Sequence, residues 1–158
     1  MIGGWSVWEI RVVTVGKIKE PGALALAQTY SKRVCGEWRL ALDAVSASKR
    51  PEPAAKRREE TASLLARVPN GARAVALDPE GVSYDTARFS SFLGGLKDRG
   101  EAVCFLVGGA YGFDKAALGS TAKISLSAMT MAHELAAVVL CEQIYRAFTL
   151  CTGRPYSK

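Results

Sequence analysis

The chain has 158 residues, of which 49% are hydrophobic and 23% charged. That length suits one globular domain with a core of its own, and the composition excludes a disordered or low-complexity chain. Lys and Arg number 21 against 15 Asp and Glu, a net charge of +6 that favours a polyanionic partner without identifying it.

The first element is a strand at residues 8–16, WEIRVVTVG, β-branched and closed by a glycine. Residues 22–34 place Leu24, Ala27, Tyr30 and Val34 at helical spacing. A second strand follows at Trp38–Val45. Pro51 and Pro53 then interrupt the chain, and a polar helix is predicted from near Pro53 to about Arg67. The third strand, ARAVALD at 72–78, is expected to stop at the PEG that follows it. Residues 83–97 read as a helix with Phe89, Phe92, Leu93 and Leu96 on one face and Ser83 as its candidate cap.

The run EAVCFLVGG is continuously apolar, as for a strand covered on both faces. A short helix near Asp114–Leu118 and a fifth strand at 122–127 follow. The last helix is predicted from about Thr130 to Leu150. It is apolar nearly all round, which means burial or a subunit contact. Alternating strands and helices predict an α/β domain with a mostly parallel sheet. No break long enough to separate two domains occurs, so residues 1–158 read as one domain.

Charge is uneven. Residues 1–67 carry +5 and residues 68–158 carry +1. The densest basic segment, Lys49–Arg58, reads either as a solvated helix face or as a phosphate-contacting surface. The four cysteines form no CxxC pair and there is one histidine, which argues against a metal site. Cys104 and Cys141 lie in apolar runs and read as core residues, which suits a reducing compartment. The first residues lack the pattern of a signal peptide. The longest uncharged apolar run, Leu135–Cys141, is too short to cross a bilayer. A soluble cytoplasmic protein without a membrane partner is the expectation.

Ligands of open α/β sheets bind beyond the carboxyl ends of the strands. Three such ends stand out: Leu77-Asp78, Gly108-Gly109 and Leu126-Ser127. The GGAYG turn alone matches neither common dinucleotide nor phosphate-loop spacing and reads equally as a tight turn. His133 has no recognisable nucleophile partner, so it is either a structural hydrogen-bonding residue or a catalyst. Glu142 and Arg146 form an i,i+4 pair that either stays within the helix or orients a ligand.

The runs FLVGGAYGF, KISLSAMTMAHELAAVVLCEQIYRAF and GRPYSK, with VVTVGKIKE, TYSKR and LDPEG before them, resemble the ribosomal RNA large subunit methyltransferase H family of the SPOUT superfamily. The resemblance covers almost the whole chain. It implies an α/β fold with a C-terminal trefoil knot, homodimers, S-adenosylmethionine bound between knot loops, and methylation of N3 of a pseudouridine in large-subunit (23S) ribosomal RNA. By motif match, Leu77, Gly108, Gly109, Leu126, Ser127, Ala128, Met129, Thr130 and Met131 would line the methyl-donor site. His133, Arg146 and Tyr156 would be the candidates for catalysis, and Arg154 and Lys158 those for RNA phosphates. The family's usual Pro, Arg and His are replaced here by Ala132, Ala137 and Ser157. A changed RNA target and a ribosome-binding relative without turnover are the alternative readings.

Overall fold

A computed structural model of the chain describes residues 6–156. In chain order the elements are β1 (Trp8–Val15), α1 (Pro21–Arg33), β2 (Trp38–Val45), α2 (Pro53–Ala66) and β3 (Arg73–Ser83). They continue with α3 (Thr86–Asp98), β4 (Val103–Val107), α4 (Lys115–Leu118), β5 (Ala122–Ser125) and α5 (His133–Thr152). The strands form one sheet in the order β2-β1-β4-β3-β5, parallel at every pairing. The α/β architecture read from the alternation is therefore the one observed.

The pleat sends alternate side chains to opposite faces. Ile10, Val12, Val103, Phe105 and Val107 pack with α1, α3 and α5, while Val13, Val15, Cys104 and Leu106 pack beneath α2 and α4. With helices on both faces, every residue of central β4 is buried, which explains its unbroken apolar run. Burial pushes the Cys104 thiol to about 11 and the Cys141 thiol to about 12, so both remain protonated core groups.

The structure corrects three predicted boundaries. β3 does not end at Asp78: the chain makes an excursion at 78–81 and resumes pairing, so Leu77 and Val82 both face Ile124 of β5. Gly81 makes this return feasible, since a Cβ there would stand 2.6 Å from the Lys123 carbonyl carbon. Second, α3 is capped by Asp85 rather than Ser83; its Oδ1 accepts the Arg88 N–H at 2.8 Å.

Third, β5 stops at Ser125 and α5 starts at His133, leaving an irregular loop between them. Local side-chain bonds compete with regular structure there. Ser125 Oγ donates to the Ser127 carbonyl at 3.0 Å, and Ser127 Oγ accepts the Met129 N–H at 3.0 Å.

α5 as a whole is long and apolar enough in composition to cross a bilayer, more than its uncharged run suggested. Its apolarity is accounted for by packing against α1, α3 and the sheet, which buries Ala137, Leu140, Cys141, Ile144, Ala147 and Phe148. Leu135 and Leu150 of the same helix are exposed, as are Leu24 and Leu26 of α1.

Candidate active site

The carboxyl ends of β3, β4 and β5 lie side by side, and the loops leaving them enclose a cleft of about 540 Å³. That size suits a small organic ligand. Leu77, Val107, Phe113, Leu126 and Met131 supply apolar surface, and Asp78 and His133 are its titratable side chains. Asp78 also turns the chain into the 78–81 excursion, its Oδ1 accepting the Glu80 N–H at 2.8 Å.

The glycine turn forms one wall because side chains would not fit. A Cβ on Gly108 would sit 3.2 Å from the Phe113 ring, and one on Gly109 would sit 2.6 Å from Glu60 Oε2. Gly112 donates its N–H to the Gly109 carbonyl at 3.0 Å, closing the turn. From α2, Thr61 Oγ1 accepts the Asp114 N–H at 2.9 Å and anchors the far end of the loop.

The opposite wall is the 126–132 loop and the first turn of α5. Glu134 fixes that turn against the chain leaving β1: its two oxygens accept the N–H groups of Lys19 and Glu20 at 2.8 and 3.0 Å. These two bonds hold its carboxyl below the usual carboxylate range.

Of the nine positions matched to a methyl-donor site, Leu77, Gly108, Gly109, Leu126, Ser127, Met129, Thr130 and Met131 line this cleft; Ala128 does not. His133 lines it as well. Arg146 and Tyr156 do not. Arg146 lies 13 residues further along, about 20 Å down α5 at 1.5 Å per residue, and Tyr156 follows the end of that helix. There Arg146 donates to Glu142 Oε1 through Nε at 3.1 Å and Nη2 at 2.5 Å. Tyr156 donates its hydroxyl to the same oxygen at 3.1 Å, and the Arg146 guanidinium lies 4.6 Å above the Tyr156 ring.

Burial first, then hydrogen bonding with Tyr30 and Glu142, pushes the Tyr156 phenol up to about 12. It is a proton donor at neutral pH, not a base. The Glu142–Arg146 pair is thus an intrahelical bridge and also the anchor of the C-terminal segment.

Arg154 lies with its guanidinium 5.0 Å above the Phe148 ring and 3.4 Å from Cys35 Sγ. Lys158 and Ser157 fall outside the described residues. Ala137 is 1% exposed and packed in the core, so nothing at that position reaches the cleft as a cation. Among the described residues no three His, Cys, Asp or Glu side chains form a metal-binding group.

Sequence reasoning marked Asp78 only as part of a strand end, and missed Phe113 as a cleft residue and Glu60 beneath the cleft. Asp78 was signalled by its place at a strand end, whereas Glu60 sits in a charged run that reads as solvated.

Residues 8–157 match the family described as "Predicted SPOUT methyltransferase". The chain is 38% identical over 150 residues to ribosomal RNA large subunit methyltransferase H of Nitratidesulfovibrio vulgaris, covering 93% of this chain and 97% of that protein. It is 36% identical to the protein of the same name from Geobacter sp. (strain M21), over 93% and 97% of the two chains. The corresponding figures for the Listeria monocytogenes protein are 34% identity, 94% and 99%. A solved structure described as "Structural insights into the 2-OH methylation of C/U34 on tRNA" shares the fold, with a TM-score of 0.50 at 18% identity over 96% of this chain and 100% of that one. With near full-length identity above 30% and a family match from β1 to the C-terminal segment, the chain belongs to the SPOUT methyltransferases, in the ribosomal RNA large subunit methyltransferase H family.

Proposed function

We propose that the protein transfers a methyl group from S-adenosylmethionine to N3 of a pseudouridine in 23S ribosomal RNA. In this reading it works in the cytoplasm as a homodimer whose C-terminal segment is knotted in the manner of its family. The observation that carries the reading is the convergence of eight motif-matched residues and His133 on one cleft.

The cleft's chemistry fits the donor. Leu77, Leu126 and Met131 offer apolar walls for a flat adenine, and the irregular 126–132 loop offers backbone groups at its edge. Asp78 is the anionic side chain facing a cationic ligand. When bound, S-adenosylmethionine supplies an electrophilic methyl group on its sulfonium. The chain's own task is then to orient the target nitrogen and take its proton. His133, at the start of α5 and facing the cleft, is the residue we assign to that proton, with Asp78 as its rival.

The homodimer draws support from the placement of Arg146 and Tyr156. Within one chain Arg146 is about 20 Å from His133 along α5. A second copy packed on the exposed leucines of α1 and α5 would cover apolar surface and bring one chain's cluster to the other's cleft. Doubling the +6 charge also widens the field available to RNA phosphates.

The test is calorimetry with S-adenosylmethionine, followed by labelled-methyl transfer to large ribosomal subunits lacking the modification. Saturable donor binding with transfer to rRNA is the predicted result. Donor binding with no transfer to rRNA overturns the substrate assignment, and absence of donor binding overturns the enzyme assignment. A second reading, methylation of a different rRNA position, is favoured by Ala137 and Ser157, which withdraw a guanidinium and an imidazole from the family pattern.

A further inference from the structure

We propose that Lys49, Lys56 and the ring of Tyr111 form a single-stranded RNA docking rim beside the cleft, with Tyr111 as a stacking platform for a base flanking the target. The inference rests on the RNA-methyltransferase reading and extends it to a surface that the donor site does not use.

Three observations bring these residues together. Glu60 accepts the Ser48 N–H at 3.1 Å while its other oxygen approaches Gly109, so Lys49 begins beside the glycine turn. Lys56 stands one helical turn before Glu60 on the same face of α2, and its ammonium lies 5.9 Å from the Tyr111 ring centroid. Tyr111 is the tip of the glycine turn and is 52% exposed, although its neighbours Ala110 and Gly112 line the cleft. The cleft mouth thus presents an exposed aromatic ring with a lysine ammonium beside it.

Charge selects the occupant. Among the described residues, Lys49, Lys56, Arg57 and Arg58 have no carboxylate within ion-pair distance; Arg50 alone of this segment is paired, with Glu59 at 3.0 Å. Unneutralised cations beside an exposed aromatic ring match a nucleic-acid strand, which offers phosphates at its backbone and a π-face at each base. Unstacked bases in RNA loops are recognised in this way, and a target imide nitrogen has to leave its pairing before it is methylated.

The experiment measures fluorescence anisotropy of a labelled single-stranded RNA oligonucleotide and of large ribosomal subunits across a salt series. It uses the full chain and the variants Tyr111→Ala, Tyr111→Phe and Lys49→Gln/Lys56→Gln, with donor calorimetry as the control for folding. Tyr111→Ala should weaken RNA binding about ten-fold and Tyr111→Phe should restore it, since stacking needs the ring and not the hydroxyl. The double lysine variant should reduce the salt slope by about 1.4, near 0.7 per phosphate contact on a single strand.

RNA affinity and slope equal to wild type in variants that still bind donor overturn the rim. If wild type fails to methylate rRNA while the variants still lose RNA affinity, the rim stands and the rRNA target falls. A wild-type protein that binds no RNA overturns both.

Discussion

Glu60 Oε2 lies 2.6 Å from the point a Cβ on Gly109 would occupy, and it is buried with no hydrogen-bond partner. A helix that carries the basic segment thus presses a carboxylate against the turn that walls the cleft. Gly109→Ala should cost about 2 kcal/mol by overpacking, or roughly 4–8 °C in Tm, and should weaken donor binding. Glu60→Gln keeps an acceptor for the Ser48 N–H at nearly the same volume, so Tm should hold. In Gly109→Ala/Glu60→Ala the loss should be smaller than the sum of the two single losses, because truncating Glu60 removes the atom that a Cβ at position 109 would strike. Additive losses in thermal unfolding would refute the contact.

His133 is the titratable group on the α5 side of the cleft. His133→Ala should lower kcat by about 100-fold or more while leaving donor affinity nearly unchanged, the signature of a lost proton acceptor. Should Asp78→Asn produce that split instead, the proton belongs to Asp78.

Arg146 and Tyr156 are tied to Glu142, remote from the cleft of their own chain. Mixing His133→Ala chains with Arg146→Ala chains should therefore recover about a quarter of wild-type activity, because half the dimers are hybrids with one intact site each. No recovery on mixing, with hybrid formation verified by native mass spectrometry, would place both residues in one chain's site or outside catalysis.

Glu134 links the start of α5 to the loop after β1, and its carboxyl is held below its ordinary value by the N–H groups of Lys19 and Glu20. A carboxyl depressed on folding stabilises above its unfolded value, about 4.3, and loses that contribution as pH falls through the folded value. The Tm advantage of wild type over Glu134→Gln should be full at pH 7 and shrink towards pH 3. An advantage independent of pH would mean that the carboxylate charge contributes nothing.

The sheet and its helices were legible because strand and helix patterns alternate: β1 is β-branched, β4 is continuously apolar, and α1 and α3 carry apolar residues at helical spacing. The cleft was legible because motif residues cluster where strands end. The resumption of β3 after Gly81 was not, since it depends on pairing Val82 with Ile124 more than 40 positions away. The late start of α5 was hidden by Ser125 and Ser127, whose side-chain bonds hold an apolar-looking stretch out of the helix. Glu60 was hidden by composition: KRREE reads as a solvated face, and only tertiary packing shows that its last residue is buried. The separation of Arg146 from His133, by contrast, could have been read directly from their spacing on one helix.

The central claim is tested most directly by locating the transferred methyl group. Large subunits from cells lacking the modification are incubated with the protein and labelled S-adenosylmethionine, and the rRNA is digested and sequenced by tandem mass spectrometry. The account predicts one added methyl group, on N3 of a pseudouridine in 23S rRNA, and its loss with His133→Ala. Methyl transfer to any other nucleotide or atom, or none from a protein that binds the donor, would contradict it.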